Sequence, residues 1–413
     1  MVPYPLGASG MSARYLPVIR HLSKRHVIDM IILTERDADS ASAEGLKPYC
    51  RKLTLIPNPR FKKHPLARKV ATQAGVMLPW SLPNLWVVYG GRSIAREIAR
   101  ATAGVHYESL VCVFGELYQY LGGVSADRIV VDFIDSPTLL LERGVIGSFK
   151  SVLLKNYERW KMKRWEAKVI RNSAASLYVS PVDAQTIPSE MTPSCARHVI
   201  PNGISVGAYT PVVEEKIESP SIGFLGNMGY GPNIEAAHRL YEEVFLPLRA
   251  KLPNLSLYII GRNPVESILA LGEKPGVTVT GTVEEIWPYV NAVDVFVFPL
   301  WKGAGLKNKI LEAMYAKRPV VTTKIGNEGI DAVPGRDLVV CDSAPDFQKE
   351  VLRLLRSSDE RARLGESGHK FVNERFSWDR ILWDFEAAIT GSVHEAGSAV
   401  EAGFQVAGGA KDK

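Results

Sequence analysis

The sequence has few of the features that mark secreted, zinc-binding or membrane-spanning proteins. Its cysteines are Cys50, Cys112, Cys195 and Cys341. They lie far apart and form no CxxC pair, which argues against a structural zinc and for a reducing compartment. The sequence shows no secretory signal, and no apolar run approaches the roughly 18 residues that a membrane-spanning helix needs. We therefore expect a cytoplasmic protein that contacts a membrane only from its surface.

The chain is long enough for two domains, and its charge is unevenly divided. Its 413 residues exceed what one core usually organises, and 46% hydrophobic with 23% charged residues indicate a soluble, cored protein. Residues 1–200 hold 27 Lys and Arg against 16 Asp and Glu, or +11, whereas residues 201–413 hold 23 against 28, or −5. Only the first half is therefore expected to meet an anionic surface. Solvated charge without a partner is the alternative.

Short apolar runs alternate with helical patterns, which is typical of βα units with parallel sheets. Strand candidates in the first half are residues 27–33, 53–57, 109–114, 128–134 and 175–180. Those in the second half are residues 221–226, 255–261, 277–281, 293–300, 319–323 and 337–341. A cluster of Pro, Asn and Gly at 199–211 separates the two series, so we place the domain boundary there.

The pattern predicts two doubly wound domains with a cleft between them. The predicted units are residues 1–199, residues 200–376, a C-terminal helix at 377–390 that returns towards the first domain, and a disordered tail at 391–413. The opening letters, MVPYPLGASG, resemble the end of a strand that runs into a glycine loop. The first strand is therefore expected to be short or to lack its beginning.

The stretch GAGLKNKILEAMYAKRPVV, which starts at Gly303, reads as a glycine loop, a helix and a strand. An apolar stripe recurs at helical spacing up to Pro319. The helix is therefore predicted to begin near Leu306 or Lys307, directly after Gly303 and Gly305. The stretch contains neither a GxxxxGK[ST] loop nor a GxGxxG fingerprint, so those two nucleotide-binding motifs do not explain it.

The N-terminal end of this helix and the glycine loop before it, which we call the mouth of the helix, are suited to an anion. Glycines let backbone amides approach a ligand closely, and the helix dipole favours phosphate there. Lys307 and Lys309 add positive charge. Glu312 shares their polar face; it would repel phosphate, but it can accept hydrogen bonds from vicinal hydroxyls, as acidic residues do with ribose. The pattern predicts a site for a nucleoside diphosphate, and a solvated helix in which Glu312 pairs with Lys309 is the alternative.

These residues resemble the signature region of the retaining glycosyltransferases of family 4, which have the GT-B fold. Similar to further family segments, in the same order, are VIPNGI (199–204), IGFLGNMGYGPN (222–233), LYIIGRNP (257–264) and VDVFVFPL (293–300). With VVDFIDSP (130–137) and FSW (376–378), the pattern resembles bacterial sugar transferases of exopolysaccharide clusters. The resemblance implies an α/β GT-B fold, with two Rossmann-like doubly wound domains facing a central cleft.

The resemblance also implies a donor site. Glu312 matches the second glutamate of the family's E-x7-E motif, which binds the donor ribose, whereas the first glutamate would fall at Ala304. Asn227 and Pro232 stand where many members carry an Arg and a Lys. The implied donor-binding residues are Gly10, Gly226, Asn227, Gly261, Arg262, Gly303, Gly305, Leu306, Asn308 and Glu312.

The implied catalytic residues are Asp135, Lys307 and Lys309. The two lysines are the nearest candidates to supply the phosphate charge that the missing Arg and Lys would give. Where many members carry a histidine near the acceptor, this chain offers Asp132 and Asp135. We expect Asp135 to orient the acceptor hydroxyl, and a turn-forming Asp ahead of Pro137 is the alternative.

The resemblance implies transfer of a hexose from a UDP- or GDP-sugar with retention. The leaving diphosphate would take the acceptor proton, so neither a side-chain nucleophile, as in glycosidases, nor a metal or cofactor is expected. Asp37 and Asp39 copy the metal-binding DxD motif of a different transferase fold, but they lie in a polar stretch that we interpret as a loop.

Two basic segments with tryptophans, residues 60–92 and 150–171, suit an anionic membrane surface. The acceptor is therefore expected to be a saccharide or a polyprenyl-diphosphate-linked saccharide, and the protein peripheral on the inner face of the cytoplasmic membrane. Packing of the helix at 150–171 onto the first domain through Trp160 and Trp165 is the alternative. No base-reading motif supports a nucleic-acid partner.

Two other functions remain open from the sequence. A sugar-nucleotide 2-epimerase shares this fold, but it would need an acid and base pair around the sugar, and no His or Glu is placed for that. Ala304 and the missing Arg and Lys suggest instead a non-catalytic nucleotide-sugar-binding protein.

Overall fold

The computed structural model describes residues 10–34, 37–58, 82–83, 91–147, 151–204, 217–283, 285–303 and 305–392. The elements of its front unit are α1 (Gly10–Leu22), β1 (Asp29–Thr34), α2 (Asp37–Glu44), β2 (Lys52–Pro57), α3 (Gly91–Ala101), β3 (His106–Val113), β4 (Ser125–Ile134), α4 (Pro137–Glu142), α5 (Val152–Arg171), β5 (Ala175–Tyr178), α6 (Pro181–Gln185) and β6 (Ala196–Val199).

The elements of the rear unit are β7 (Ser221–Leu225), α7 (Gly231–Arg239), a π-helical segment (Leu240–Phe245), α8 (Leu246–Arg249), β8 (Ser256–Ile260), α9 (Glu266–Leu269), β9 (Val277–Gly281), α10 (Trp287–Ala292), β10 (Val295–Phe298), α11 (Asn308–Tyr315), β11 (Val320–Thr322), α12 (Lys324–Asn327), β12 (Val339–Val340), α13 (Ala344–Arg356) and α14 (Ser358–Phe376). A last helix, α15 (Trp378–Thr390), follows.

The rear unit is built on one parallel sheet of six strands in the order β12-β11-β10-β7-β8-β9. Read from β9, this is the 3-2-1-4-5-6 order of a doubly wound Rossmann sheet. Every residue of β7 and of β10 is buried, which explains their uninterrupted apolar sequences. The strand order reverses between β7 and β10. Ligands of such sheets bind beyond the carboxyl ends of the strands at this point.

The front unit contains two parallel sheets, β1-β2 and β3-β4-β5-β6. A cavity of about 1160 Å³ lies between them and reaches from β1 and β3 to Asp135. The residues before Gly10 lie outside the described ranges, so the expectation of a short or incomplete first strand stays a prediction.

The final helix α15 packs on the front unit. Phe385, Ala388 and Ile389 share a buried cluster with residues of α1, β4 and β5. The two segments that connect the units run side by side, because the Ile204 amide donates to the Phe376 carbonyl at 2.8 Å. A Cβ atom on Gly203 would overlap the Trp378 ring, so a glycine is required at this crossing.

All predicted strands are present, with ends shifted by a few residues, and β6 is an additional strand. The loop interpretation of Asp37 and Asp39 is wrong, because both lie in the first turn of α2; aspartates are common at helix starts. Most of the basic segment at 60–92, and residues 393–413 of the expected tail, lie outside the described residues. The domain boundaries stay predictions.

Candidate active site

The mouth of α11 lies at the reversal point of the rear sheet and touches the front unit. Gly303 and Gly305 have φ of 148° and 68°, which glycine adopts without strain. Lys307 is the N-cap residue, and the helix itself begins at Asn308. A Cβ atom on Gly305 would overlap the carboxylate of Asp135. The end of β4 therefore lies directly against the glycine loop of the other unit.

Lys307 is buried at this contact. Its Nζ donates to the Gly305 carbonyl oxygen at 2.6 Å. Burial lowers the pKa of Lys307, while Glu328 acts in the opposite direction. An anion bound here would raise the pKa of Lys307 back towards its ordinary value, as Glu328 already does.

Lys309 is the second residue of α11. Its Nζ donates to Asn233 Oδ1 and stands 5.0 Å from the centroid of the Phe224 ring. Asn233 Nδ2 donates in turn to the Asn227 carbonyl at 3.0 Å, which ties the loop after β7 to α11. Burial, and then the charge of Lys307, lower the pKa of Lys309 to about 7.

Glu312 is half-buried one turn into α11. Burial raises the pKa of its carboxyl to about 7, although Lys309 acts in the opposite direction. Among the described residues, the Glu312 side chain forms no hydrogen bond, and Lys309 donates to Asn233 instead. The structure therefore does not contain the Glu312–Lys309 ion pair that was the alternative. The carboxylate is an unused acceptor.

Asp135 follows β4 and is half-buried. The preceding residue, Ile134, has a φ of 66°, which turns the chain so that Asp135 leaves the strand edge. Burial, and then Asp183, raise the pKa of Asp135 to about 7, against the effect of Lys307. A carboxyl with this pKa can hold or accept a proton near neutral pH, which suits a group that orients a hydroxyl.

The loops after β7 and β8 bring together four other predicted residues. The Gly226 amide donates to the Ile260 carbonyl at 3.0 Å, and the Met228 amide donates to the Arg262 carbonyl at 2.8 Å. Gly261 has a φ of 141°, and a Cβ atom there would overlap the Gly226 carbonyl. Gly226, Asn227, Gly261 and Arg262 thus share one corner, next to Asn233.

Two further predicted residues have simpler placements. Leu306 is partly buried and packs against the rear core, so its part in donor binding stays a prediction. Gly10 is the first residue of α1, one turn before Arg14. Ala304, where the family's first glutamate would fall, lies outside the described residues.

Sequence reasoning missed several residues that support this site, within the rear unit or between the two units. Both terminal nitrogens of Arg143 donate to the Glu328 carboxylate, at 2.5 and 2.9 Å, and Nη1 also donates to the Gly303 carbonyl at 2.9 Å. No local pattern marks this pair, because 185 residues separate its members. Asn202 and Asn233 do lie inside the family-like segments VIPNGI and IGFLGNMGYGPN, which was the available signal.

The helix α5 presents a different face from the one that its sequence suggested. Lys161 is only 2% exposed, and Trp165 Nε1 donates to the Gly115 carbonyl at 3.2 Å, so both face the front unit. Leu153 and Trp160 are 80% and 41% exposed. The guanidinium of Arg164 lies 4.7 Å from the centroid of the Trp160 ring. The alternative of packing onto the front unit is therefore confirmed for Trp165, whereas Trp160 is exposed on the surface.

Metal and membrane features were searched in the part of the chain that the structure describes. There, no group of three His, Cys, Asp or Glu side chains is arranged to hold a metal ion. Within the same ranges, no helix has the length and apolar character to cross a bilayer.

Comparisons with known proteins agree with this architecture. Residues 219–357 match the family model described as glycosyl transferases group 1. An uncharacterized 44.6 kDa protein in the cps region of Klebsiella pneumoniae is 20% identical over 397 residues, covering 92% of this chain and 95% of that protein. An uncharacterized glycosyltransferase of Methanocaldococcus jannaschii is 22% identical over 192 residues, covering 44% of this chain and 48% of the relative.

Among solved structures, Anabaena HepE in complex with UDP-glucose has a TM-score of 0.61 and 11% identity, covering 95% of this chain and 98% of HepE. The predicted α/β fold of GT-B type, with two Rossmann-like units, is thereby confirmed. The protein is a glycosyltransferase of GT-B fold, and the match to the glycosyl transferases group 1 model extends over residues 219–357.

Proposed function

We propose that the protein transfers a hexose from a nucleotide diphosphate sugar, with retention, to a saccharide or lipid-linked saccharide acceptor in polysaccharide biosynthesis. The observation that carries the proposal is the grouping at the mouth of α11. Two lysine ammonium groups and a helix N-terminus stand beside the Glu312 carboxylate, whose side chain has no hydrogen-bond partner in the described part of the chain. HepE, which has a similar fold, was solved with UDP-glucose, and the Klebsiella relative is encoded in a cps region.

In the proposed reaction, the bond between the anomeric carbon and the phosphate oxygen breaks and negative charge develops on the departing diphosphate. Lys307, Lys309 and the amides at the start of α11 stabilise this charge. The acceptor oxygen bonds to the anomeric carbon on the same face, and its proton passes to the departing phosphate oxygen. Asp135 orients the acceptor hydroxyl, and Glu312 holds the donor ribose. No resident cofactor takes part.

The donor assignment is tested by measuring thermal unfolding with UDP- and GDP-sugars, followed by analysis of the products. One donor should raise the unfolding temperature and release UDP or GDP slowly without acceptor. With acceptor, the product should keep the anomeric configuration of the donor. Release of a free 2-epimer would instead identify an epimerase, and binding without turnover would identify a binding protein. Either outcome overturns the proposed reaction.

We further propose that α5 holds the protein at an anionic membrane surface on the cytoplasmic side, where a polyprenyl-linked acceptor would lie. Leu153, Trp160, Arg164, Lys168 and Arg171 recur at steps of three, four or seven residues, and all five are exposed. They form a stripe with apolar side chains at one end and cations at the other. Such a stripe suits the headgroup region of an anionic leaflet.

Replacing Arg164 and Lys168 by glutamine should weaken binding to anionic liposomes about 30-fold, because each cation near the lipid contributes about 1 kcal/mol. Flotation with phosphatidylglycerol vesicles measures the effect. The matched control replaces two exposed lysines of the rear unit, Lys251 and Lys274, and should float like the wild type. Equal flotation of both variants would remove α5 from the membrane proposal.

A further inference from the structure

Three polar side chains connect the core of the front unit to the mouth of α11. Arg14 of α1 is buried, and its Nε donates to Asp132 Oδ2 at 3.0 Å. Its Nη1 donates to the Ile200 carbonyl at 3.0 Å and to Asn202 Oδ1 at 2.8 Å. Asn202 Nδ2 then donates to Asn308 Oδ1 at 3.1 Å. The chain of hydrogen bonds therefore ends on the first residue of α11.

The direction of this chain is fixed by chemistry. An arginine side chain has only donors and stays charged at every relevant pH. Asn202 must therefore turn its oxygen towards Arg14, which leaves its NH₂ group for Asn308. Asn308 must in turn present its oxygen to Asn202. The usual ambiguity between amide oxygen and nitrogen does not arise, because Arg14 accepts only one of the two orientations.

These hydrogen bonds also determine where the NH₂ group of the Asn308 side chain lies. Its NH₂ group has no acceptor among the described residues, and the side chain is half-buried between Lys307 and Lys309. A freely rotating amide could present either a donor or an acceptor at this place. With Asn202 in position, only the donor is presented.

We propose that Arg14 and Asn202 are positioning residues that lock the Asn308 amide with its N–H groups towards the donor diphosphate. The inference rests on the proposed donor site and adds residues outside α11 that set its polarity. Arg14 belongs to the front unit and Asn308 to the rear unit, with Asn202 on the connecting segment. The lock is therefore complete only when the two units stand as they do here.

The test is the change of Asn202 to aspartate, which keeps the shape and still accepts from Arg14. It cannot donate to Asn308, so the Asn308 amide turns and presents its oxygen to the phosphate. The Kd for UDP or GDP, whichever binds the wild type, should rise about 20-fold by calorimetry, since a hydrogen bond to a charged group is lost. Asn202→Ala, which only frees the amide, should raise it less.

A double-mutant cycle separates this effect from the added negative charge and from misfolding. In an Asn308→Ala background there is no amide to turn, so Asn202→Asp should change the Kd by less than threefold. A 20-fold loss that persists in that background would overturn the proposal. So would an Asn308→Ala variant that binds as well as the wild type. Both results leave the proposed function intact, because wild-type binding and nucleotide release test that function separately.

Discussion

Replacing Lys309 by methionine should lower kcat about 10²–10³-fold while leaving the protein at least as stable as the wild type. The proposed role of the ammonium is to face the charge that develops on the departing diphosphate. Removal of one such preorganised donor costs roughly 3–4 kcal/mol of transition-state stabilisation. Asn233, which now accepts from Lys309, would keep its bond to Asn227, so the loop after β7 should hold its place.

The stability half of this prediction follows from the lowered pKa of Lys309, about 7 in the folded protein. In the unfolded chain the group titrates near its ordinary value, about 10.4. The unfolded state therefore binds an extra proton between these values, and the lysine costs stability that grows as the pH falls from about 10 to 7. Methionine removes that cost, so its advantage should widen over the same window.

Nucleotide-release kinetics and thermal unfolding between pH 6 and 10 measure both halves. Lys317→Met is the matched control, since Lys317 lies exposed just beyond the other end of α11 and pairs with Glu366. It should retain kcat within a few-fold. A Lys309→Met protein that keeps a third or more of the wild-type kcat would contradict the catalytic role. One that melts well below the wild type would instead show that Lys309 supports the fold.

The features that could be predicted are those that the chain encodes locally. Strands such as β7 and β10 are buried on both faces, so their apolar runs stand out without knowledge of the neighbours. The mouth of α11 was recognisable because its glycines and lysines follow one another within a few residues. The predicted helix start differed by one or two residues from Asn308, where helix ends are least defined.

The features that could not be predicted depend on contacts between residues that are far apart in the chain, within one unit or between the two. Arg14 and Asp132 are 118 residues apart, and Arg143 reaches Glu328 across the connection between the units. The sequence named Asp135 as a candidate, but it could not place the carboxylate against Gly305. The inward face of α5 was equally hidden, because charged residues occur on all sides of that helix and Lys161 is buried among them.

Replacing Glu312 by alanine should raise the Kd for UDP or GDP about 100-fold without loss of fold stability. Two vicinal hydroxyls can each donate to the carboxylate, and hydrogen bonds to charged groups contribute about 1.5–3 kcal/mol each. The free carboxyl has no such partner among the described residues, and burial raises its pKa to about 7. The ionised carboxylate is thus poorly stabilised until the ribose hydroxyls donate to it. Removal of the Glu312 side chain should therefore not reduce the stability of the fold.

This arrangement gives the affinity a pH dependence with a definite sign. Ribose donors stabilise the ionised carboxylate and lower its pKa, so binding releases a proton and the affinity rises as the pH increases towards 7. The diphosphate raises the pKa of Lys309 from about 7, so binding takes up a proton and the affinity falls above pH 7. The wild type should bind best near pH 7. Glu312→Ala should lose the rise on the acidic side, and Lys309→Met the fall on the alkaline side.

Nucleotides that lack the 2′- or 3′-hydroxyl complete the comparison. They should bind the wild type more weakly than the parent nucleotide, while Glu312→Ala should bind both alike, because the group that distinguishes them is gone. Glu312→Gln keeps one acceptor oxygen and should fall between the two. If Glu312→Ala still discriminates the deoxy nucleotides as strongly as the wild type does, another residue holds the ribose, and the carboxylate at α11 serves a different part of the donor.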